Sequence, residues 1–373
     1  MKTWQKLKKN PKLWQKFFIR EKIIQSIREF FFREKFHEVE TPLLLPSVVP
    51  ESYLEVFETY LLDRQRKKRR MFLATSPEAS IKKLLVAGIG NCFEITKSFR
   101  NTETGSNLHN PEFTILEWYR VGADYKDVMR DCERLILHIY ESIFRHAEFS
   151  SASNTKRKKI LKQVQDDKMI KYQGNSIDLS SPWERISVPE ALQKYAHISF
   201  DEITNKSGEM FSKEKVAQVA KEKGYRVEKK NSWEEIFNQI FLNEVEPHLG
   251  THGKPTIIYD YPRPMAALSK IKETDPRLAE RFEFYIAGLE LGDCYTELTD
   301  YNEQKKRFAE EQKIRKIKEK TSVYPDEDFL EALKAGMPKC SGIAVGIDRL
   351  VMLFADTTNV ADTLFFPLSE FTP

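Results

Sequence analysis

FRNTETGSNLHNPEFTILEWY, from Phe99 to Tyr119, decides how this chain folds: an arginine leaving one strand, a polar loop, and a second strand running back. Side chains alternate along a strand, so Phe113, Ile115, Glu117 and Tyr119 share one face while Thr114, Leu116 and Trp118 share the other. A ring, a carboxylate and a phenol thus sit together opposite an arginine loop. A ring stacks a base, a guanidinium holds phosphate and a carboxylate holds an ammonium. The stretch therefore suits a site that joins ATP to an amino acid.

Working outward, Asn91 to Phe99 alternates as the first strand. Before it, Ser76-Pro77-Glu78 opens a helix with Ser76 at the N-cap and Pro77 at the first turn, with Ile81, Leu84 and Leu85 on one face and Gly88 closing it. Ile23, Ile24, Ile27, Phe30 and Phe31 fall on one helical face, and Pro42, Pro46 and Pro50 then impose an extended segment. A strand or hairpin around Tyr53 to Leu62 leads into RQRKKRR, Arg64 to Arg70, read as a solvated hairpin tip in preference to a docking patch for an acidic partner. Lys126 to His146 is an amphipathic helix. Residues 150–175, rich in Ser, Lys, Gln and Asp, read as a mobile surface loop, and 189–250 as a helical insert. Thr256 to Asp260 resumes strand character, and Arg281 to Thr299 reads as a strand pair turning at Ala287-Gly288. Tyr301 to Lys320 is a highly charged helix, taken as a solvated face.

The totals fit a globular chain with a large core: 373 residues, 40% hydrophobic, 12% aromatic. No apolar run reaches membrane-span length, and the basic N-terminus lacks the apolar core of a signal peptide, so a cytoplasmic protein with no membrane partner is expected. Cys92, Cys132, Cys294 and Cys340 have no metal-ligand spacing and read as idle thiols in a reducing compartment. Sixty basic against 56 acidic residues leave a net charge of +4, too little to announce a nucleic-acid binder. No phosphate loop of the GxxxxGK[ST] kind occurs.

The opening stretch resembles motif 2 of the class II aminoacyl-tRNA synthetases, nearest the lysyl subgroup. GIAVGIDRLVML, Gly342 to Leu353, resembles motif 3, and Ile23 to Leu45, ending in FHEVETPLL with its proline at Pro42, resembles motif 1. The resemblance covers residues 12–373 as one catalytic domain after an extension at 1–11. It implies an α+β fold, an antiparallel sheet flanked by helices, and a homodimer formed through motif 1. Motif 1 begins so early that no OB-fold anticodon domain is expected, and tRNA is accordingly not expected as a partner.

The same resemblance implies the site. Arg100 would hold the ATP α-phosphate and the carboxylate being activated, and Arg349 the γ-phosphate. Asn101, Thr102, Glu103, His109 and Asn110 would contact ATP from the loop, with Phe113 under adenine and Leu291 and Gly346 beside the nucleotide. Here the chain departs from the family's RNE by placing Thr102 before Glu103, in a loop one residue longer. Glu283 and Glu290 would hold Mg²⁺. Ser76, Glu78, Glu117, Tyr119, Asp293, Tyr295 and Glu297 would line the amino-acid pocket, whose converging carboxylates call for a cation and so for a lysine-like substrate. Asp293 stands where the family usually has Asn. Ala344, in GMPKCSGIAVGIDRLVML, matches the subgroup that modifies elongation factor P, whereas lysyl-tRNA synthetases have Gly there. The resemblance thus implies activation of (R)-β-lysine, or lysine, and transfer to a lysine of elongation factor P. Two alternatives stay open: a tRNA-charging enzyme, and a non-catalytic paralogue that binds an amino acid or protein as a regulator.

Overall fold

Residues 2–150 and 168–371 are described by a computed structural model of the chain. Their strands are β1 (His37–Glu38), β2 (Leu44–Leu45), β3 (Glu58–Leu62), β4 (Lys68–Leu73), β5 (Cys92–Phe99), β6 (Glu112–Val121), β7 (Met169–Tyr172), β8 (Asn175–Asp178), β9 (Glu184–Ser187), β10 (Thr256–Pro262), β11 (Leu278–Ile286), β12 (Leu289–Thr296) and β13 (Cys340–Gly346). Eight form one sheet in the order β1-β5-β6-β13-β12-β11-β10-β9. Its interior pairings are antiparallel and its two edge pairings parallel. The fold is α+β, built on an antiparallel sheet.

One face of that sheet is covered by helices Trp14–Arg33, Tyr125–Ser150 and Ile347–Phe354. Leu116 and Trp118, the inward side of β6, pack there with Phe31, Phe93, Phe282, Phe284, Ile343 and Leu350. Period 2 on the strand meets period 3.6 on the helices, so each element buries one stripe. The opposite face of β6 is left to the site. A three-residue clamp ties the helix Trp14–Arg33 to both motifs: Arg20 Nη1 lies 2.5 Å from Asp348 Oδ1 and its Nη2 donates to Thr114 Oγ1 at 2.6 Å. Asp348 Oδ2 also accepts from the Thr114 amide at 2.8 Å.

Several expectations need correction. The helix after Ser76 runs Glu78–Val86, with Pro77 rather than Ser76 at its cap position, and Ser76 Oγ makes a long 3.4 Å contact with the Glu78 amide. Of the segment 150–175, residues 151–167 lie outside the described residues, while β7 and β8 build a hairpin from the rest. The helix Tyr301–Ile317 is no solvated face: Gln304, Phe308 and Arg315 are buried along one side. Arg315 Nη1 donates to the carbonyls of Glu51 and Leu54 at 2.6 and 2.7 Å, and so fixes the loop that roofs the site. Charged composition concealed that inner stripe. RQRKKRR forms the β3–β4 turn and the start of β4, where Arg70 pairs with Glu58 at 2.6 Å. Residues 188–250 form short helices, among them Lys213–Glu222 and Trp233–Ile240, around their own core against β9, β10 and β11.

Candidate active site

Strand register lines the site residues up. Glu94, Glu117, Ala344, Asp293 and Glu283 stand in one row across β5, β6, β13, β12 and β11, and Cys92, Tyr119, Gly342, Tyr295 and Arg281 in the next. Opposed residues project to the same face. From Glu117 to Glu283 and from Tyr119 to Arg281, the two rows floor a cavity of about 1010 Å³. Gly342 is required at its place, because a Cβ there would lie 2.2 Å from the Tyr119 ring and 2.6 Å from Glu297 Oε1.

Getting both Glu290 and Asp293 onto this floor is a parity problem, since they are three residues apart on one strand. The two-residue turn solves half of it: Ala287 and Gly288 have φ of 54° and 77°, and Glu290 pairs with Tyr285, on the face of Glu283. A bulge solves the rest. The register shifts between Phe284 and Tyr285, which pair with Gly292 and Glu290, so Leu291 is the extra residue and Asp293 comes opposite Glu283. The side chain of Leu291 is therefore turned into the core on the other face, and the expectation that it contacts the nucleotide holds for its backbone at most.

The carboxylates bring cations of their own. Lys82, with its side chain 1% exposed, sets Nζ 2.5 Å from Glu78 Oε1 and 2.5 Å from Glu297 Oε2. Burial opposes its charge, but Glu297 and Glu78 outweigh it and hold the ammonium above the usual lysine value. Arg281 reaches Glu283 at 2.7 Å and both oxygens of Asp293 at 2.9 and 3.0 Å, and Tyr295 Oη donates to Asp293 at 2.7 Å. Glu117, in contrast, accepts from Tyr119 Oη at 3.1 Å and forms no ion pair among the described residues. Burial, then the charge of Glu78, push its carboxyl well above the usual range. The expectation that several carboxylates await a substrate cation is thereby narrowed to Glu117. Lys82 and Arg281 went unnoticed in the sequence, although Lys82 follows Glu78 by one helical turn.

At the other end stand the two arginines. The Arg100 guanidinium lies over the Phe113 ring at 5.1 Å, pairs loosely with Glu103 at 3.8 Å, and keeps Nε buried without a partner. Arg100 lines the cavity, and a guanidinium paired this loosely suits an anionic ligand. Arg349 donates through Nη1 to the Glu290 carbonyl at 2.9 Å and lies 3.4 Å from its carboxylate, while Nη2 meets His109 Nε2 at 2.9 Å. Burial first, and Arg349 second, lower the His109 pKa, so the ring accepts from Arg349 in its neutral form. Asn110, bonded to the Glu112 carbonyl at 2.6 Å, and Glu103 border the cavity. Asn101 and Thr102 do not: Thr102 takes φ 66°, and Asn101 is occupied bridging to Glu55, so the turn swings both outward and brings Glu103 in. Ser76 and Gly346 also line the cavity, and a Cβ on Gly346 would meet little but Arg349.

Mg²⁺ was expected on Glu283 and Glu290. Among the described residues no cluster of three or more His, Cys, Asp and Glu is placed to hold a metal. Glu290 is a half-exposed hard-oxygen donor on the cavity wall. Glu283 already accepts from Arg281 at 2.7 Å and from Tyr285 Oη at 2.8 Å, and burial pushes its carboxyl up to about 8. One carboxylate with substrate phosphates is a sufficient magnesium set, so Glu290 fits that role and Glu283 fits it poorly.

Residues 2–370 match the family model for class II tRNA synthetases of the D, K and N type. The chain belongs to that family. It is 35% identical over 359 residues to a lysine-tRNA ligase of Carboxydothermus hydrogenoformans, covering 96% of this chain and 66% of that one. It is likewise 35% identical over 361 residues to a lysine-tRNA ligase of Pelotomaculum thermopropionicum (97% and 65%). A third, from Moorella thermoacetica, is 34% identical over 360 residues (96% and 66%). The chain thus spans just under two thirds of the length of these relatives. Among the described residues no helix is long and apolar enough to cross a membrane.

Proposed function

We propose that this class II synthetase domain is a ligase that activates lysine or its isomer (R)-β-lysine with ATP. It then passes the acyl group to the ε-amine of a lysine on elongation factor P. The observation that carries the activation step is one cavity holding Arg100, Arg349, His109, Phe113 and Glu290 at one end and Glu117, Tyr119 and Asp293 at the other. In the first step the substrate carboxylate oxygen attacks the α-phosphorus and pyrophosphate leaves, giving the acyl-adenylate. Arg100 neutralises charge on the reacting phosphate and carboxylate, and Arg349, held by His109 and Glu290, orients the leaving phosphates. Mg²⁺, when bound at Glu290, supplies further neutralisation of the phosphates. Glu117 and Tyr119 receive the side-chain ammonium. In the second step the acceptor amine attacks the acyl carbon, AMP leaves, and the amine's proton is lost to solvent. No protein nucleophile is needed, since positioning supplies the rate.

Ala344 favours the β-isomer and the protein acceptor. Its methyl stands in the row beside Glu117, the group that would receive the side-chain ammonium, with Asp293 on its other side. A second reading, charging of tRNA with lysine, is favoured by the lysine-tRNA ligase relatives. A homodimer through the helix Trp14–Arg33 is supported by the exposed rings of Trp14, Phe18 and Phe32 on it. The test is acylation of elongation factor P and of tRNA, side by side, with each lysine isomer. Mass gain on the protein supports the first reading, and a charged tRNA with unmodified protein overturns it in favour of the second. Arg100→Ala is expected to abolish exchange of pyrophosphate into ATP, and unchanged exchange would remove Arg100 from its role.

A further inference from the structure

Glu94 has no part in the reaction as derived, yet it is the direct cross-strand neighbour of Glu117. Directly opposed Cβ atoms are about 4.5–5.5 Å apart, so the two carboxyl groups share one patch of the sheet. They are 1% and 2% exposed. Glu94 Oε1 accepts from the Thr41 amide at 2.9 Å, Glu117 accepts from Tyr119, and Glu94 Oε2 is buried without a partner. Neither forms an ion pair among the described residues. The Thr41 and Thr96 side chains favour an ionised Glu94, and Lys82 an ionised Glu117, but burial outweighs them at both, and the other groups around the pair add negative charge. Glu78, Lys82 and Glu297 form a trio of net negative charge on the side of the helix Glu78–Val86. Cys92 and Tyr119 occupy the adjacent row, Glu40 lies beyond the β1 side, and Asp293 beyond Ala344 is already bound to Arg281.

Two carboxylates this close and this dry do not both ionise. We infer that Glu94 and Glu117 form a carboxyl–carboxylate dyad sharing one proton in the free protein, and that entry of a cationic side chain releases it. Glu117, the more strongly raised of the two, carries the proton, and the unpartnered Glu94 Oε2 is its acceptor. When the substrate ammonium donates to Glu117, the added positive charge lets both carboxyls ionise and the proton passes to solvent. Glu94 is then a positioning and specificity residue. A neutral side chain of the same shape gains no ion pair and leaves the proton in place, whereas a diamino acid exchanges a proton for a full cation. The inference rests on the proposed reading of Glu117 as the ammonium's partner.

The test combines infrared spectroscopy of the free protein with calorimetric titration of L-lysine and β-lysine in two buffers of different ionisation heat. Beside the protonated-carboxyl absorption of Glu283 and Glu297, the free wild type is expected to show a further component at neutral pH that the difference spectrum with Glu94→Gln reveals as lost, because the Gln amide donates to Glu117 in the proton's place. Binding to wild type is expected to release about one proton and to tighten about tenfold per pH unit across neutrality, and Glu94→Gln to release almost none. If Glu94→Gln does not fold, Glu117→Gln must remove the same band. Difference spectra in which neither substitution removes protonated-carboxyl absorption, or binding without proton release, overturn the dyad. If no diamino acid binds, the proposed substrate fails, while the band still decides the dyad.

Discussion

Replacing Lys82 by Met keeps an unbranched stem of similar length and removes a charge held 2.5 Å from each of two carboxylates. Removing one partner of a buried pair costs about 3–5 kcal/mol, because the other charge is left without compensation. The structure also gives the pH dependence. Burial already pushes Glu297 up to about 7 with Lys82 beside it, so without Lys82 it takes up a proton across the neutral range. A carboxyl whose folded pKa is raised above its unfolded value binds more protons when folded, so stability is lost as pH rises through that window. Keeping Glu297 neutral costs about 1.36 kcal/mol for each pH unit above about 4.3, which is about 4.4 kcal/mol at pH 7.5 and about 1.6 at pH 5.5. Wild-type Glu297, at about 7, bears the same cost up to that pH, so the deficit of Lys82→Met is expected to fall within about 3–5 kcal/mol at pH 7.5 and to shrink by about 0.8 at pH 5.5.

The assay is urea unfolding of both proteins at the two pH values, with Lys82→Met/Glu297→Gln as the third arm. The double variant is expected to recover at least half of the loss, since no buried carboxylate is then stranded at that end. A deficit under about 1 kcal/mol at pH 7.5, or an equal deficit at both pH values, would refute the reading of Lys82 as the cation paired with Glu78 and Glu297.

Gly342→Ala places a methyl 2.2 Å from the buried Tyr119 ring and 2.6 Å from Glu297 Oε1, which Lys82 pins; a loss of about 1–3 kcal/mol and weakened amino-acid binding are expected from thermal unfolding and titration. Ala344→Gly is expected to cost about 0.5–1 kcal/mol, as glycine does within a strand, and to shift the ratio of kcat/KM from β-lysine toward α-lysine; an unchanged ratio would deny Ala344 a part in selection. Because burial and then Arg349 depress the His109 pKa, the neutral ring that accepts from Arg349 persists at neutral pH and through the usual imidazole range, and is lost only at lower pH. The KM for ATP is accordingly expected to be flat through the neutral range and to rise only at more acid pH, with His109→Gln removing the rise; a wild-type rise that sets in at or above the usual imidazole range would contradict this.

How much of the site the sequence carried can be read from β6. Its alternation alone assigned Phe113, Ile115, Glu117 and Tyr119 to the cavity and Leu116 and Trp118 to the core, and the structure keeps that division. β12 was less readable. Period 2 puts Asp293, Tyr295 and Glu297 on one face and Glu290 on the other, and what reconciles them is the extra residue at Leu291, which no composition signal marks. Thr102 is similar: its positive φ turns two expected nucleotide contacts away, and a threonine gives little warning of that backbone. Lys82 and Arg281 escaped notice because partners 215 and 12 positions distant in sequence, Glu297 and Asp293, are joined to them only by the fold.

Those two cations change what the acidic residues can mean for selectivity. Counted along the chain, Glu78, Glu117, Asp293 and Glu297 promise a strongly negative pocket that would draw in any amine. In the folded protein Lys82 holds two of them and Arg281 a third, so attraction is concentrated at Glu117. A pocket of diffuse negative charge would bind cations of many lengths, whereas one uncompensated carboxyl at a fixed place in a sheet row rewards only a cation that reaches it while the carboxylate end lies at Arg100. Under the proposed function, length and branching of the substrate then matter as much as its charge, and the Ala344 methyl, set in that same row beside Glu117, walls the same cavity. The acids with cations of their own serve chiefly to fix the walls, and discrimination falls to the one that has none.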